Sequence, residues 1–366
     1  MCEFNRKLDT DKKISYITHS KFLMKLVFCT FLMYLWGCTD TARDKYSENS
    51  FFAMDTWMEI KLPNDTDASV QTKLEAEIRR IENTFSVTLP GSSLYELNAS
   101  ETEKVQAERE LTALLYEADR LRSLTDGAFC DTLYIISREW GFTTGGYKVP
   151  AADRLGELLD FIGNAEVTIG ADTVRRPPGL MFDLGGITKG YATDRIVSIL
   201  KEKNIAYGII NLGGNVYVHG ANPSNSENKW TVGITDPFDG GLLGTVAVND
   251  TAVVTSGSYE RYFEYEGKRY HHIIDSATGC PVDNGLVSVT VIADDASYAD
   301  GLSTALFVMG LDNALKLQSE QNNFEAVFIT ENKEIYYTEG LKDIFTCSKS
   351  GFTLSCVKYA RNPQGE

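Results

Sequence analysis

One stretch constrains the fold more than any other: Met181-Phe182-Asp183-Leu184-Gly185-Gly186-Ile187-Thr188-Lys189-Gly190-Tyr191-Ala192-Thr193-Asp194. An apolar approach ends in an acid, and two glycines follow. A helical pattern then sets in, with Ile187, Tyr191, Ile196, Ile199 and Leu200 largely on one side. The glycines let the backbone turn sharply and approach a ligand closely. The first helical turn behind them has free N–H groups and a positive dipole end, which together suit an anion. The spacing fits neither a Walker loop nor a dinucleotide fingerprint. On its own the segment is equally a strand–turn–helix corner with no ligand.

Around this corner the chain divides in character. Before it, helical patterns dominate. Ala68 to Phe85 carries Val70, Leu74, Ile78, Ile81 and Phe85 on one stripe. Glu103 to Thr125, Asp131 to Trp140 and Ala152 to Ile162 read as further helices, and Pro90 to Ser93 as a loop. An alternating run from Phe51 to Leu62 reads as a strand. Beyond the corner, strand-like runs prevail: Tyr207–Asn211, Val216–His219, Thr231–Thr235, Thr245–Val248, Tyr262–Tyr265 and Leu286–Ile292. A helix from Ser297 to Met309, a shorter one near Asp312–Glu320 and a closing hairpin over Phe324–Thr330 and Glu334–Thr338 complete the pattern. This order predicts an α+β fold with a mainly antiparallel sheet.

Charge narrows the partners. The chain carries a formal net charge of -16, and residues 1–37 are net basic, so the body is more acidic still. Such a body repels nucleic-acid phosphates, and no basic, aromatic-laced patch is present. At the N-terminus, Lys21 and Lys25 precede an apolar run from Leu26 to Gly37, too short to span a bilayer as a helix. That run ends Leu35-Trp36-Gly37-Cys38, which resembles a bacterial lipobox. The expectation is a signal peptide over 1–37, lipidation of Cys38, a polar tether over 38–50 and export to the cell envelope. Met24 is an alternative start to Met1. Cys347 and Cys356 flank a short polar turn and could face each other across a hairpin, as a disulfide outside the cytoplasm allows.

Two groups carry candidate chemistry. Asp300 and Thr304 lie four apart on a predicted helix, which stacks a carboxylate and a hydroxyl on one face. Both are hard oxygen donors suited to Mg²⁺, with a pyrophosphate completing the shell. A solvated helix face is the plainer alternative. His272, one of four histidines, ends a strand-like run before Asp275 and a Thr278-Gly279 turn. A neutral imidazole there could take a proton from a hydroxyl. His271 beside it points to the opposite face of a strand.

Five segments in order carry a family resemblance. They are the Asp183–Gly186 corner, Asn211-Leu212-Gly213-Gly214-Asn215, Thr255-Ser256-Gly257-Ser258-Tyr259-Glu260, His272-Ile273-Ile274-Asp275 with Thr278-Gly279, and Ala299-Asp300-Gly301-Leu302-Ser303-Thr304-Ala305. Together they resemble the ApbE family, the FAD:protein FMN transferases, over about residues 51–345, leaving 346–366 as a C-terminal extension. The resemblance implies a T-fold-type architecture elaborated by insertions, and Mg²⁺-dependent transfer of FMN from FAD to a Thr or Ser hydroxyl of an acceptor protein. By the same resemblance the metal is held by Asp300, Thr304 and the Gly186 carbonyl, and His272 is the base. Met54, Ala128, Phe129, Asp183, Lys189 and Ile274 contact the nucleotide, although Met54 and Ile274 equally suit a core. The implied acceptors are flavin-carrying subunits of membrane redox complexes, or extracytoplasmic reductases with FMN-binding modules. Two departures stand out. In Gly127-Ala128-Phe129-Cys130-Asp131-Thr132, where relatives read Gly-Ala-Phe-Asp, either Cys130 replaces the acid or Asp131 serves after a one-residue shift, and Thr88 stands where an aromatic is common. An FAD pyrophosphatase and a non-catalytic flavin-binding lipoprotein are the alternatives.

Overall fold

Alternating side chains build a sheet buried on both faces. In the strand Thr251–Gly257, Ala252 and Val254 join one core while Val253 joins another. In Leu286–Ala293, Val289, Val291 and Ala293 face the first core and Ile292 the second. A period of two puts successive residues on opposite faces, so each strand serves both layers. The structure, a computed structural model, describes residues 46–358. The signal peptide, Cys38 and most of the expected tether lie outside the described residues.

The central sheet has nine strands whose spatial order is their chain order. It runs Tyr46–Ala53, Thr56–Pro63, Tyr207–Leu212, Asn215–Gly220, Thr251–Gly257, Leu286–Ala293, Glu325–Thr330, Glu334–Thr338 and Thr353–Val357. Every neighbouring pair is antiparallel except the last, which is parallel. Four helices form most of the layer on one face: α1 (Ala68–Phe85), α3 (Arg109–Leu124), α6 (Thr188–Glu202) and α7 (Ala296–Gln321). A three-stranded sheet of Trp230–Thr235, Leu242–Val248 and Phe345–Cys347 covers the other face. Beside these layers, α4 (Tyr134–Trp140), α5 (Ala152–Gly163) and the hairpin Tyr262–Tyr265/Lys268–His271 enclose a smaller core around Trp140 and Phe263. The short α2 (Ser93–Ala99) follows α1. The α+β class with a mainly antiparallel sheet is as the sequence leads one to expect.

Several boundaries differ. The strand expected over Phe51–Leu62 is a hairpin broken at Met54 and Asp55, whose φ values are 48° and 59°. That turn has no glycine or asparagine to announce it; the Met54 N–H is held instead by Glu82 Oε1 at 2.7 Å. The hairpin begins at Tyr46, so residues 46–50 are sheet rather than tether. Glu103–Thr125 is not one helix, because Lys104–Gln106 pairs with Thr173–Arg175 before α3 starts. The turn after Pro90 leads into α2, capped by the Ser92 hydroxyl on the Tyr95 N–H. Helix α4 starts at Tyr134, not Asp131. The approach to Asp183 is buried coil rather than strand, and the Asn98 side chain satisfies both the N–H and the carbonyl of Phe182. Helix α7 is interrupted at Gly310, whose φ of 75° and ψ of 169° suit only glycine, so the two expected helices sit end to end. The described part of the expected C-terminal extension contributes to both sheets, since Phe345–Cys347 and Thr353–Val357 each pair. Cys347 and Cys356 therefore lie on strands of different sheets, and both are free thiols.

Candidate active site

The site forms where α6 and α7 meet. Helix α6 opens directly after the Gly185-Gly186 turn, and Asp183 Oδ1 accepts the Gly185 N–H at 2.8 Å. Neither glycine has a positive φ; what the turn needs is space. A Cβ on Gly186 would stand 3.2 Å from the Phe129 ring and 3.7 Å from Thr304 Oγ1. Phe129 is thus the floor under the turn, and Gly186 and Thr304 are neighbours. No side chain caps α6 from its own flank. The anion at its N-terminus belongs to the protein: Asp300 Oδ2 accepts the Gly190 N–H at 2.9 Å. The first-turn N–H groups expected to be free are therefore partly taken.

Asp300 is 4% exposed. Burial pushes its carboxyl above the usual range, against the pull of Lys189, whose Nζ lies 3.9 Å from Oδ1. Thr304 joins a row of hydroxyls. Thr304 Oγ1 and Ser256 Oγ are 3.2 Å apart, Ser256 Oγ and Ser303 Oγ 2.7 Å, and Ser303 donates to the Asp300 carbonyl at 2.8 Å. One donor order satisfies all three contacts: Thr304 to Ser256, Ser256 to Ser303, Ser303 to Asp300. It leaves the Thr304 lone pairs free to meet a cation. Nearby, Asn215 Oδ1 accepts from Thr193 at 3.1 Å, and its buried side chain also faces Asp300 and helps to hold that carboxylate ionised. A buried carboxylate, a free hydroxyl oxygen and a glycine carbonyl are hard donors that fit Mg²⁺. Among the described residues no three His, Cys, Asp or Glu side chains cluster as a metal cage, so such an ion would draw its remaining ligands from water or phosphate.

His272 stands in a recess beside these groups. Its Nδ1 lies 3.2 Å from the Arg261 carbonyl, which can only accept, so Nδ1 carries the proton and Nε2 keeps its lone pair. Solvent reaches the ring, yet the surrounding protein desolvates it and pushes its pKa down to about 3; Arg261, His271 and Lys189 add to the effect. His271 turns into the core, with Nε2 2.9 Å from the Val282 carbonyl and its ring edge-on to Phe307. Arg261 is also within electrostatic reach of Asp183 and Glu260, and Glu260 of Lys189 and Asp300. Ser256, Glu260 and Arg261 were not singled out from sequence, although all three lie in or directly after the Thr255–Glu260 segment.

The remaining expected contacts divide. Met54 occupies the strained hairpin turn, partly buried, and Thr56 beyond it meets Gly213 so closely that a Cβ there would be 2.4 Å from its side chain. Ala128 packs against the main core beside the buried Phe129. Ile274 packs with Trp140 and Leu158 in the smaller core, so its side chain is core, the second of the two readings its sequence left open. Cys130 holds the acid's place directly after Phe129, 3.3 Å from Thr132 Oγ1, with burial raising its thiol. Asp131 is the buried acid next to it, its carbonyl accepting the Asp183 N–H at 2.7 Å. A cavity of about 300 Å³ lies beside Asp183, lined by Thr88, Tyr95, Asn98, Tyr134 and Met181 among others. A larger one of about 530 Å³ shares Arg138 and Thr144 with it. Neither is lined by Lys189, His272, Asp300 or Thr304. Tyr95 and Tyr134 supply the first cavity with aromatic surface where Thr88 does not.

Fold and site together define an α+β protein whose candidate site sits at a helix–helix junction on one face of a broad antiparallel sheet. The sequence profile of the ApbE family matches residues 54–328. The FAD:protein FMN transferase of Klebsiella pneumoniae is 32% identical over 294 residues, covering 79% of this chain and 90% of that protein. The Treponema pallidum protein of the same name is 35% identical, covering 76% of this chain and 81% of its own length. The crystal structure of the ApbE protein from Thermotoga maritima superposes with a TM-score of 0.75 at 33% identity, over 81% of this chain and 98% of that one. The chain belongs to the ApbE family.

Proposed function

We propose that this protein is an FAD:protein FMN transferase that works with Mg²⁺ and is anchored by a lipid at Cys38 on the outer side of the membrane. The single observation that carries the reading is the buried Asp300 carboxylate at the α6–α7 junction, next to Thr304 and Gly186. Asp300, Thr304 and the Gly186 carbonyl would hold the ion, which screens charge on the FAD pyrophosphate when bound. Lys189 adds a positive charge beside it. Asp183 meets the flavin nucleotide at the mouth of the turn, and the cavity next to it offers a place for a ring system.

The chemistry asked of the chain is short. A Thr or Ser hydroxyl of the acceptor attacks the phosphorus on the FMN side of FAD. Its proton goes to His272 Nε2, whose tautomer the Arg261 carbonyl fixes. The P–O bond to the AMP phosphate breaks, AMP leaves, and FMN remains as a phosphoester on the acceptor. A base at about 3 is weak; burial is the main cause, and Arg261 and Lys189 add to it. Phosphate anions that neutralise those two charges would remove that smaller, electrostatic part of the shift. Flavin-carrying subunits of membrane redox complexes and extracytoplasmic reductases are the acceptors proposed. The test is incubation with FAD, Mg²⁺ and candidate acceptors, reading the acceptor's mass for covalent FMN. Release of AMP and free FMN with every acceptor unmodified would make the protein an FAD pyrophosphatase instead.

A further inference from the structure

The two halves of the proposed cation site come from different helices: Gly186 from the turn that opens α6, Asp300 and Thr304 from α7. We infer that Asp194 is the positioning residue that sets the distance between them by clamping the first turn of α7 onto α6. The inference rests on the assignment of Asp300 and Thr304 proposed above.

Asp194 lies on α6, after Gly190, and touches none of the three proposed ligands. Its Oδ1 accepts the Ala296 N–H at 2.9 Å. Its Oδ2 accepts the Ser297 N–H at 2.8 Å and the Ser297 hydroxyl. These N–H groups open α7 and have no partner within the helix, so a carboxylate laid across them satisfies orphan donors and meets the positive end of the helix dipole. Asp295 caps the same turn through the Tyr298 N–H at 2.7 Å. One turn earlier on α6, Gly190 lets the two backbones touch: a Cβ there would stand 2.2 Å from the Ala296 carbonyl oxygen and 2.6 Å from the Ser297 Cα. The third contact runs the other way, from the Gly190 N–H to Asp300 Oδ2.

The arrangement is reciprocal. A carboxylate of α6 holds the start of α7, a carboxylate of α7 holds the start of α6, and a glycine between them lets both bonds form. Asp300 sits one turn beyond Ala296, so any slide or rotation of α7 that loosens the Asp194 contacts moves Asp300 and Thr304 relative to Gly186. Residues that orient metal ligands without touching the metal typically change metal affinity by ~10- to 100-fold.

The test compares Asp194→Asn, Ser297→Ala and Asp300→Asn with wild type. Mn²⁺ binding is followed by electron paramagnetic resonance with FAD present, the Mg²⁺ half-saturation of transfer by product mass, and the thermal midpoint without metal. Asp194→Asn should weaken half-saturation by about tenfold while the rate at saturating Mg²⁺ stays within about twofold of wild type. Ser297→Ala, which removes one hydroxyl bond and keeps the backbone contacts, should shift it the same way by less. A role in stability alone would lower the midpoint and leave metal affinity unchanged. If Asp194→Asn does not fold, Ser297→Ala decides. Wild-type affinity in the folded variants, with Asp300→Asn defective, overturns the positioning role alone. Wild-type affinity in Asp300→Asn overturns the metal assignment itself.

Discussion

Asp131→Asn should gain stability relative to wild type as pH rises from mildly acidic to alkaline. Asp131 is 3% exposed, and burial is the main reason its carboxyl rises from 3.8 to about 6; the facing acids Asp119 and Asp183 add to this, and Arg122 opposes it. The folded chain therefore holds this proton more tightly than the unfolded chain. A raised carboxyl stabilises the fold fully below its unfolded value, and that contribution is lost as pH rises through about 6. At 1.36 kcal/mol per pH unit, the ionised group above pH 7 costs about 3 kcal/mol relative to its protonated form. Asparagine keeps the shape and carries no charge at any pH. A buried amide that finds no partner costs about 1–3 kcal/mol, but that cost is the same at every pH. The difference between variant and wild type, measured at pH 8 and again near pH 4, isolates the charge. Other groups titrate in both proteins and largely cancel. Urea unfolding followed by circular dichroism should show Asp131→Asn gaining up to about 3 kcal/mol between the two conditions. A pH-independent difference would refute the claim that Asp131 is ionised and desolvated in the folded protein.

Other outcomes follow from the site and the chain. His272→Asn should leave FAD binding nearly intact and slow FMN transfer by roughly 10²–10⁴-fold, as loss of an acid–base group does; normal turnover would assign His272 to structure. Thr304→Val keeps the shape and removes one oxygen, so transfer should fall and excess Mg²⁺ should partly restore it in a titration; a wild-type titration curve would remove Thr304 from the ligand set. Gly190→Ala should fail to fold or lose several kcal/mol, because its Cβ would stand 2.2 Å from a backbone carbonyl oxygen; a thermal melt within a degree of wild type would mean the helices can part without loss. Cys38→Ser should move the protein from membranes to the soluble fraction, since acyl chains are the proposed anchor; unchanged fractionation places the anchor elsewhere.

What the sequence reveals depends on the distance over which each contact is made. Helix α1 is legible to both ends because its stripe of Val70, Leu74, Ile78, Ile81 and Phe85 is a local pattern, and Asp67 caps it through the Ser69 N–H. That Asp300 and Thr304 share one helix is legible for the same reason. The Met54-Asp55 turn is not, because left-handed backbone at two non-glycine residues is imposed by Glu82, 28 positions away. The third strand of the sheet pairs Leu212 with Met58, and nothing local to either announces the partner. Ser256, Arg261 and Asp194 each stand in or beside a segment the sequence marks, but their roles arise only when α7 is laid against α6 and the neighbouring strand. The Gly190–Asp300 bond spans 110 positions.

The acids around the cleft suggest why the site takes this form. Asp131, Asp183 and Asp300 are all raised by burial, and Asp194 behind them is raised to about 6. Each ionised group weakens the fold near neutral pH relative to a neutral residue of the same shape. A chain shaped for stability alone would replace them. Asp194 recovers part of the loss by holding the start of α7, and Asp183 by holding Gly185. Asp300 has the Gly190 N–H, the Asn215 side chain and a lysine at 3.9 Å beside it, yet burial still holds its carboxyl above the usual range. A cation beside it would offset that burial, and a pyrophosphate on that cation would bring negative charge toward Lys189. On this argument the empty protein is the less stable form. Mg²⁺ and FAD together should raise its unfolding midpoint more than the separate effects of the two added, because each completes the other's coordination.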